Sequence, residues 1–503
     1  TAFKGFGLSK RPYQVTSFEC KACPNVCEIN RVRIEGEDGF LFYGGRCEKY
    51  DIKRNKGNIG IPYLFKFRED MLWEKHLKYS AECGVRSAEL NPKFKTQNSK
   101  PKIGLPYIFS FHDYLPFWST LLWELGFEVE VSPKTNREII DIGAESVLAD
   151  TCFPVKVAHG HIKYLVDKGT DLLFIPSFVS ANSRGDEYDS GSTCPLTQTI
   201  PYAARIAHPS VKVLAPVIDF KQPREYFTDE LLKVFRPFGI KRDSLLRVIS
   251  SAEKAQEVFT TAISEKGEEI LNAIDKKTVV VIGRPYNSFD SGVNIGIPRK
   301  LADIGMLSMP LDFLPAGKIR ICDRWPNMYW KSGQRILKAA RFIRNHPLLY
   351  AVYIGNFSCG PDSFILKFFE EEMKGKPFLH LEIDEHSADA GAITRCEAFL
   401  DSIENYKPAI SSQPSTLSSQ LSEAGSQQIN PKFKIQNSKL KTPNSKLRTV
   451  FIPRMSDHAF ALAAAFERCG VAAEVLPESD RNAIDIGRKF VSGKECYPCT
   501  VTT

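Results

Sequence analysis

From about Lys102 to Tyr406, short apolar runs alternate with longer amphipathic stretches. The runs Ile103 to Phe111, Phe127 to Val131, Asp171 to Pro176, Val211 to Ile218, Thr278 to Ile282, Leu349 to Ile354 and Phe378 to Ile383 have strand length and strand composition. Between them, Val155 to Lys168, Lys254 to Ile274, Ser332 to Arg344, Ser363 to Lys374 and Asp389 to Ile403 carry apolar positions at helical spacing. Strand-helix alternation predicts βαβ units and mainly parallel sheets, an α/β fold with Rossmann-like, doubly wound lobes over residues 103–277 and 278–406. No stretch approaches about 18 consecutive apolar residues, so no transmembrane helix is expected and no membrane partner is implied.

The pattern changes outside this region. Residues 1–60 hold too few apolar side chains for a core of their own and predict a small metal-bound module. Residues 61–102 read as a connecting segment with a basic insertion. Residues 407–449, rich in Ser and Gln and without hydrophobic periodicity, read as a linker. At a constant offset of 344, Gly126 to Pro154 matches Gly470 to Pro498 without a gap, with Asp-Ile-Gly and Cys-x-Pro in common. Residues 450–503 therefore read as the start of a second, truncated copy of the first lobe. The near-identical decapeptides Asn91 to Lys100 and Asn430 to Lys439 are polar and basic. The first residues, Thr1-Ala2-Phe3-Lys4, show neither an initiator Met nor an apolar signal region, and the chain looks cut at both ends.

At 503 residues, with 43% hydrophobic and 25% charged positions, the composition is that of a globular chain of roughly three domains. The net charge of +8 invites an acidic partner until it is mapped. Residues 407–449 hold seven Lys or Arg against one Glu, and residues 91–102 add four Lys, so the remainder is close to neutral. A nucleic-acid partner is thereby disfavoured. The 13 cysteines are too sparse for a disulfide scaffold but partly clustered, which fits a reducing, low-oxygen cytoplasm.

One cluster is Cys20-x2-Cys23-x3-Cys27-x19-Cys47. Three thiolates within eight residues can turn around one centre, and a fourth returning through Gly44-Gly45 completes four-coordination. An iron-sulfur centre is preferred here, with zinc as the alternative. A second, dispersed set is Cys152, Cys194 and Cys359, each in a turn at a strand's carboxyl end or a helix start. Ligands of doubly wound sheets bind outside the carboxyl ends of strands, and a helix N-terminus stabilises a thiolate, so the three could hold one cluster with a position left open. Cys496 is the repeat counterpart of Cys152; Cys83, Cys396 and Cys469 read as packing, and Cys322 as a reserve ligand.

Four motifs carry a family resemblance: Gly-Arg-Pro-Tyr-Asn (283–287), Asn-Phe-Ser-Cys-Gly-Pro-Asp-Ser-Phe (356–364), Leu-Glu-Ile-Asp-Glu-His-Ser-Ala-Asp-Ala-Gly (381–391) and Cys-Phe-Pro-Val-Lys-Val-Ala-His-Gly-His (152–161). With them the chain resembles the acyl-CoA dehydratase activase-related proteins, which are similar to the 2-hydroxyacyl-CoA dehydratase and benzoyl-CoA reductase families. The resemblance implies Rossmann-like lobes holding a 4Fe-4S cluster on Cys152, Cys194 and Cys359. It also implies an open iron site and an ATP-hydrolysing, actin-like activator, in cis in a longer chain or in trans. Some relatives hold a double-cubane cluster, and a repeat offering Cys496 is compatible with that. The chain departs from the family in lacking a Gly-x4-Gly-Lys-Ser/Thr loop or an actin-like phosphate motif. Asp141-Ile-Gly-Ala-Glu-Ser146 reads as a structural turn.

His159 and His161, two apart on a predicted helix, point to different faces; one is a candidate proton donor beside a cluster. Asp384 and His386 follow a strand and open a helix, where capping competes with an acid/base role. Arg284 sits in a turn after a strand, a place for a polar group of a small-molecule substrate. The leading expectation is an oxygen-sensitive iron-sulfur protein of the dehydratase/reductase type, with an acyl-CoA thioester as the substrate class the resemblance suggests. The alternative is a non-catalytic metal-stabilised scaffold or electron carrier docking to an activator.

Overall fold

The computed structural model describes residues 11–20, 28–36, 40–44, 61–89, 101–147, 151–182, 186–387, 389–406, 449–454 and 457–489. Residues 1–406 and 407–503 form two compact units.

The first unit opens with an antiparallel meander of β1 (Tyr13–Glu19), β2 (Glu28–Ile34) and β3 (Leu41–Tyr43). Glu19 pairs with Glu28 and Tyr43 with Asn30, so Cys20 and Gly44 leave the meander at the same end. Gly44 has φ +100°, and a Cβ there would stand 2.6 Å from the Glu28 carbonyl oxygen, so only glycine fits. The helix α1 (Leu64–Glu89) follows within the segment read as a connector. Its buried face holds Leu64, Arg68, Leu72 and His76 at four-residue spacing. Two of those four are polar, which conceals the apolar period.

In lobe 1 the order is β4 (Lys102–Leu105), α2 (Phe111–Glu124), β5 (Glu128–Val131), α3 (Arg137–Ser146), α4 (Phe153–Asp167), β6 (Leu172–Phe174), β7 (Ser177–Ser180), α5 (Pro195–Ala207), β8 (Lys212–Leu214), β9 (Val217–Asp219), α6 (Arg224–Phe235) and α7 (Arg242–Ala273). A parallel sheet has the order β5-β4-β6-β8, and β7 pairs with β9 apart from it. The expected single strands 103–111 and 211–218 are interrupted at Pro106 and Pro216, where no backbone N–H can continue a ladder. Asp141 to Ser146 lies within α3, not in a turn.

Lobe 2 contains β10 (Thr278–Gly283), α8 (Pro285–Ser288), α9 (Ile297–Asp303), β11 (Ser308–Pro310), α10 (Lys331–Asn345), β12 (Leu349–Asn356), α11 (Gly360–Glu372), β13 (Phe378–Ile383) and α12 (Asp389–Asn405). Its parallel sheet runs β11-β10-β12-β13. Every residue of β10 and β12 is buried, as their unbroken apolar runs require of central parallel strands. In both sheets the first and third strands are neighbours and the second lies outside the first. The strand order therefore reverses between β4 and β6 and between β10 and β12, the place where α/β sheets bind ligands. Side chains of both lobes share both large apolar clusters of this unit.

The second unit contains β14 (Val450–Ile452), α13 (His458–Arg468), β15 (Ala473–Val475) and α14 (Arg481–Gly487). The parallel pair matches Phe451 with Glu474, as Gly104 matches Glu130 in lobe 1. Asp480 caps α14 through the Ala483 N–H at 2.8 Å, as Asn136 caps α3 through that of Ile139 at 3.0 Å.

Candidate functional site

Three of the sequence-predicted cysteines are helix N-caps. Cys152 opens α4, Cys194 opens α5 and Cys359 opens α11, each with a proline in the following turn and none with a side-chain cap bond. Proline favours a helix start because its missing N–H is one that would go unbonded there. Ser358, just before Cys359, has φ 61°, a left-handed value that a non-glycine residue adopts at some cost.

Arg284, after the carboxyl end of β10, stands among these helix starts. It is 3% exposed. Its Nε donates to Asp362 Oδ1 at 2.8 Å and its Nη1 to the Tyr286 hydroxyl at 2.9 Å. Nη2 is buried without a partner, as are Asp362 Oδ2, both amide atoms of Asn287 and Asn356 Oδ1. Burial opposes the Arg284 charge, yet Asp362 holds its pKa well above the ordinary value. Burial pushes the Cys152 thiol up, with Cys194 and Arg284 also acting on it. Burial and then Asp362 push Cys359 well above the thiol range, with Arg284 and Cys152 acting on it as well. The three thiols and the guanidinium thus share one electrostatic neighbourhood at the strand-order reversal of lobe 2.

A cavity of about 150 Å³ adjoins Cys194. Phe109 and Ile175, after β4 and β6, line it from the reversal of lobe 1, and Arg284 and Tyr286 from that of lobe 2. Among the described residues, no three or more His, Cys, Asp or Glu side chains are grouped closely enough to hold a single metal ion.

The other predicted residues fall elsewhere. His161 is fully buried, with Nδ1 2.8 Å from Ser132 Oγ and Nε2 2.9 Å from Thr135 Oγ1. Burial lowers its pKa to about 3. His159, half-buried on another face of α4, has its pKa lowered by burial and then by His208, and its Nδ1 has no partner. Asp384 Oδ1 accepts from the His386 N–H at 3.0 Å and from Ser387 Oγ at 2.8 Å, closing the turn after β13. The His386 side chain is 85% exposed. Cys20 is buried at the end of β1, whereas Cys23, Cys27, Cys47 and Cys496 lie outside the described residues. Asp362 and Asn356 stand inside a quoted motif, but nothing in the sequence marks Asp362 as the partner of an arginine 78 positions away.

Residues 102–314 match the family model of the CoA enzyme activase uncharacterised domain. Solved structures that match include a zinc-bound deletion mutant of ZnuA, 12% identical over 62% of this chain and 99% of that one, with a TM-score of 0.21. Another is tagatose-6-phosphate ketose/aldose isomerase from Escherichia coli, 12% identical over 69% of this chain and 96% of that one, with a TM-score of 0.18. At such values neither likeness bears on fold or function. No curated protein matches the chain. No helix among the described residues is long and apolar enough to cross a membrane.

Proposed function

For a chain that belongs, through residues 102–314, with the activase-related proteins of the acyl-CoA dehydratase family, we propose an iron-sulfur protein of the dehydratase/reductase type. The observation that carries this reading is the arrangement of Cys152, Cys194 and Cys359, three uncapped helix N-caps around the buried Arg284. The donor set fits a 4Fe-4S cluster. Its thiols come from three separate helix starts, and the helix N-termini and the Arg284 guanidinium oppose the burial that raises the Cys152 and Cys359 thiols, a penalty that iron ligation would offset. When bound, such a cluster supplies low-potential electron storage and, at an iron without a protein ligand, a Lewis acid.

The chain's own residues do the rest. Asp362 and Tyr286 fix the Arg284 guanidinium in one orientation, leaving Nη2 as a donor that no protein group uses. His161, neutral and bonded at both nitrogens, orients α4 against Ser132 and Thr135 in this reading and moves no proton to a substrate.

Electrons come from an ATP-hydrolysing, actin-like activator in the cytoplasm, and the substrate class suggested by the family is an acyl-CoA. The reading extends to a second metal centre on Cys20, Cys23, Cys27 and Cys47, supported by the shared exit of Cys20 and Gly44 from the meander. The second unit is a partial copy of lobe 1, supported by its strand register and matching helix caps. Iron and acid-labile sulfide in anaerobically purified protein test the reading. Each of Cys152→Ala, Cys194→Ala and Cys359→Ala is expected to lower both, and iron-free wild-type protein would sink it.

A further inference from the structure

A second and larger cavity opens within lobe 1, with none of the three cysteines in its wall. It lies between the turn after β9, the start of α6 and the middle of α7, and α2 forms its floor. We propose that it binds an organic ammonium cation with an apolar body, the body against aromatic rings and the charge beside the carboxylates of α6 and α7. The inference does not depend on the cluster reading.

The rings come from three elements. Pro116 inside α2 cannot donate a backbone hydrogen bond, and the helix loses its regular geometry at Tyr114, where φ is −118°. Phe220 follows β9, and Phe227 stands in the first turn of α6. The Phe220 ring centre lies 6.2 Å from that of Tyr114 and 5.8 Å from that of Phe227, and Phe227 lies 6.0 Å from Phe117. Tyr114, Phe220 and Phe227 are only half-buried, so their rings offer apolar surface to the cavity, and Phe117 is buried at the end of the row. The face of an aromatic ring carries negative potential and attracts a cation.

The charges around these rings have the same sign. Asp219, Glu225, Glu253 and Glu257 line the cavity against a single guanidinium, Arg224. That guanidinium is committed, since its Nη2 donates to Glu253 at 2.7 Å. Asp219 accepts from the Lys221 N–H and from Gln222 Nε2, both at 3.1 Å. Among the described residues, the Glu225 and Glu257 carboxylates make neither an ion pair nor a hydrogen bond. The N-terminus of α6 offsets part of the Glu225 charge, and the balance stays negative. Such a rim repels phosphates and carboxylates and draws cations. The volume of about 750 Å³ suits a small molecule. A ligand joining an ammonium group to an apolar body meets both the rings and the rim, as quaternary ammonium ions do in aromatic cages.

Titration calorimetry of the full chain at low ionic strength, with benzyltrimethylammonium as the probe, tests this. The probe is expected to bind, and the double variant Glu225→Gln/Glu257→Gln to weaken it by at least about threefold. Both positions are exposed, so this variant keeps the fold. Phe220→Ala, which removes a ring, is expected to weaken binding by at least about threefold. Benzyl alcohol, with the same ring and no charge, is expected to bind at least about tenfold more weakly than the probe. Absence of probe binding, unchanged affinity in either variant, equal binding of benzyl alcohol, or displacement of the probe by equimolar ammonium chloride, which marks a bare cation site, would each overturn the proposal. None of these outcomes involves iron, so failure of the cluster reading leaves the cation site standing.

Discussion

At the scale of single residues, a buried chain of hydrogen bonds links lobe 1 to lobe 2. Thr135 Oγ1 donates to Asp290 Oδ2 at 2.5 Å, so the His161 Nε2–H must donate to Thr135, and the Ser132 hydroxyl to Nδ1. The Asp290 Oδ1 atom accepts from the Gly292 and Val293 N–H groups at 2.9 and 3.1 Å. His112 Nε2 approaches Oδ2 to 3.5 Å, but burial and then Arg68 hold His112 well below its usual pKa, so this is no ion pair. Burial outweighs the hydrogen bonds and pushes the Asp290 carboxyl up from 3.8 to about 6, with Glu69 adding a small push in the same direction. The folded state then binds the proton more tightly than the unfolded chain. Asp290 therefore contributes most below about pH 4, and that contribution is lost as pH rises through about 6. Asp290→Asn should gain stability relative to wild type by about 2–3 kcal/mol between pH 4 and pH 7. Urea melts at several pH values measure this, and a pH-independent difference would contradict it. The cysteines of the candidate site were legible because each stands in a turn beside a strand or helix end. Asp362 was not, because its role depends on a contact between chain segments that no local pattern reports.

At the scale of elements, α3 and α4 cross at two glycines. A Cβ on Gly143 would lie 2.1 Å from the Lys156 carbonyl oxygen, and one on Gly160 would lie 2.0 Å from that of Ile139. Backbone cannot yield as a side-chain tip can, so the helices would have to separate. Gly160→Ala should cost about 1–3 kcal/mol despite the better helix propensity of alanine, read as a lowered thermal midpoint. An unchanged midpoint would show that the crossing can open. The shift should also displace Cys152, which begins α4. The turn expected over Asp141 to Ser146 is helix instead, and its glycine at 143 serves a close helix approach. The central parallel strands were legible. Burial on both faces leaves an unbroken apolar run in β10 and β12 that no surface element shares.

At the scale of the whole molecule, α1 ties the lobes of the first unit together. Arg68 is 2% exposed, and its Nε donates to Asp312 at 2.7 Å. Its Nη2 donates to the His112 carbonyl at 3.0 Å and to Asp113 at 3.3 Å, and its guanidinium lies 3.5 Å from the Phe289 ring centre. Asp113 and His112 belong to lobe 1, Asp312 and Phe289 to lobe 2. Arg68→Leu leaves the part-buried Asp113 and Asp312 with Arg335 as their remaining cation and should cost about 2–4 kcal/mol in denaturant unfolding; a loss below about 1 kcal/mol would show the lobes hold without it. The lobes and their parallel sheets could be read from strand-helix alternation, but this tie could not, since a buried arginine and histidine interrupt the apolar face of α1. The shared cores join the two lobes, and the functional reading rests on the three helix-capping cysteines that the lobes contribute. Its most direct test is iron, acid-labile sulfide and the electron paramagnetic resonance spectrum of the anaerobically purified chain, compared with the triple variant Cys152→Ala/Cys194→Ala/Cys359→Ala. The account predicts iron and sulfide in the wild type and the loss of about four iron atoms with one spectral component in the triple variant. Equal iron in both proteins, or zinc without sulfide in the wild type, would contradict it.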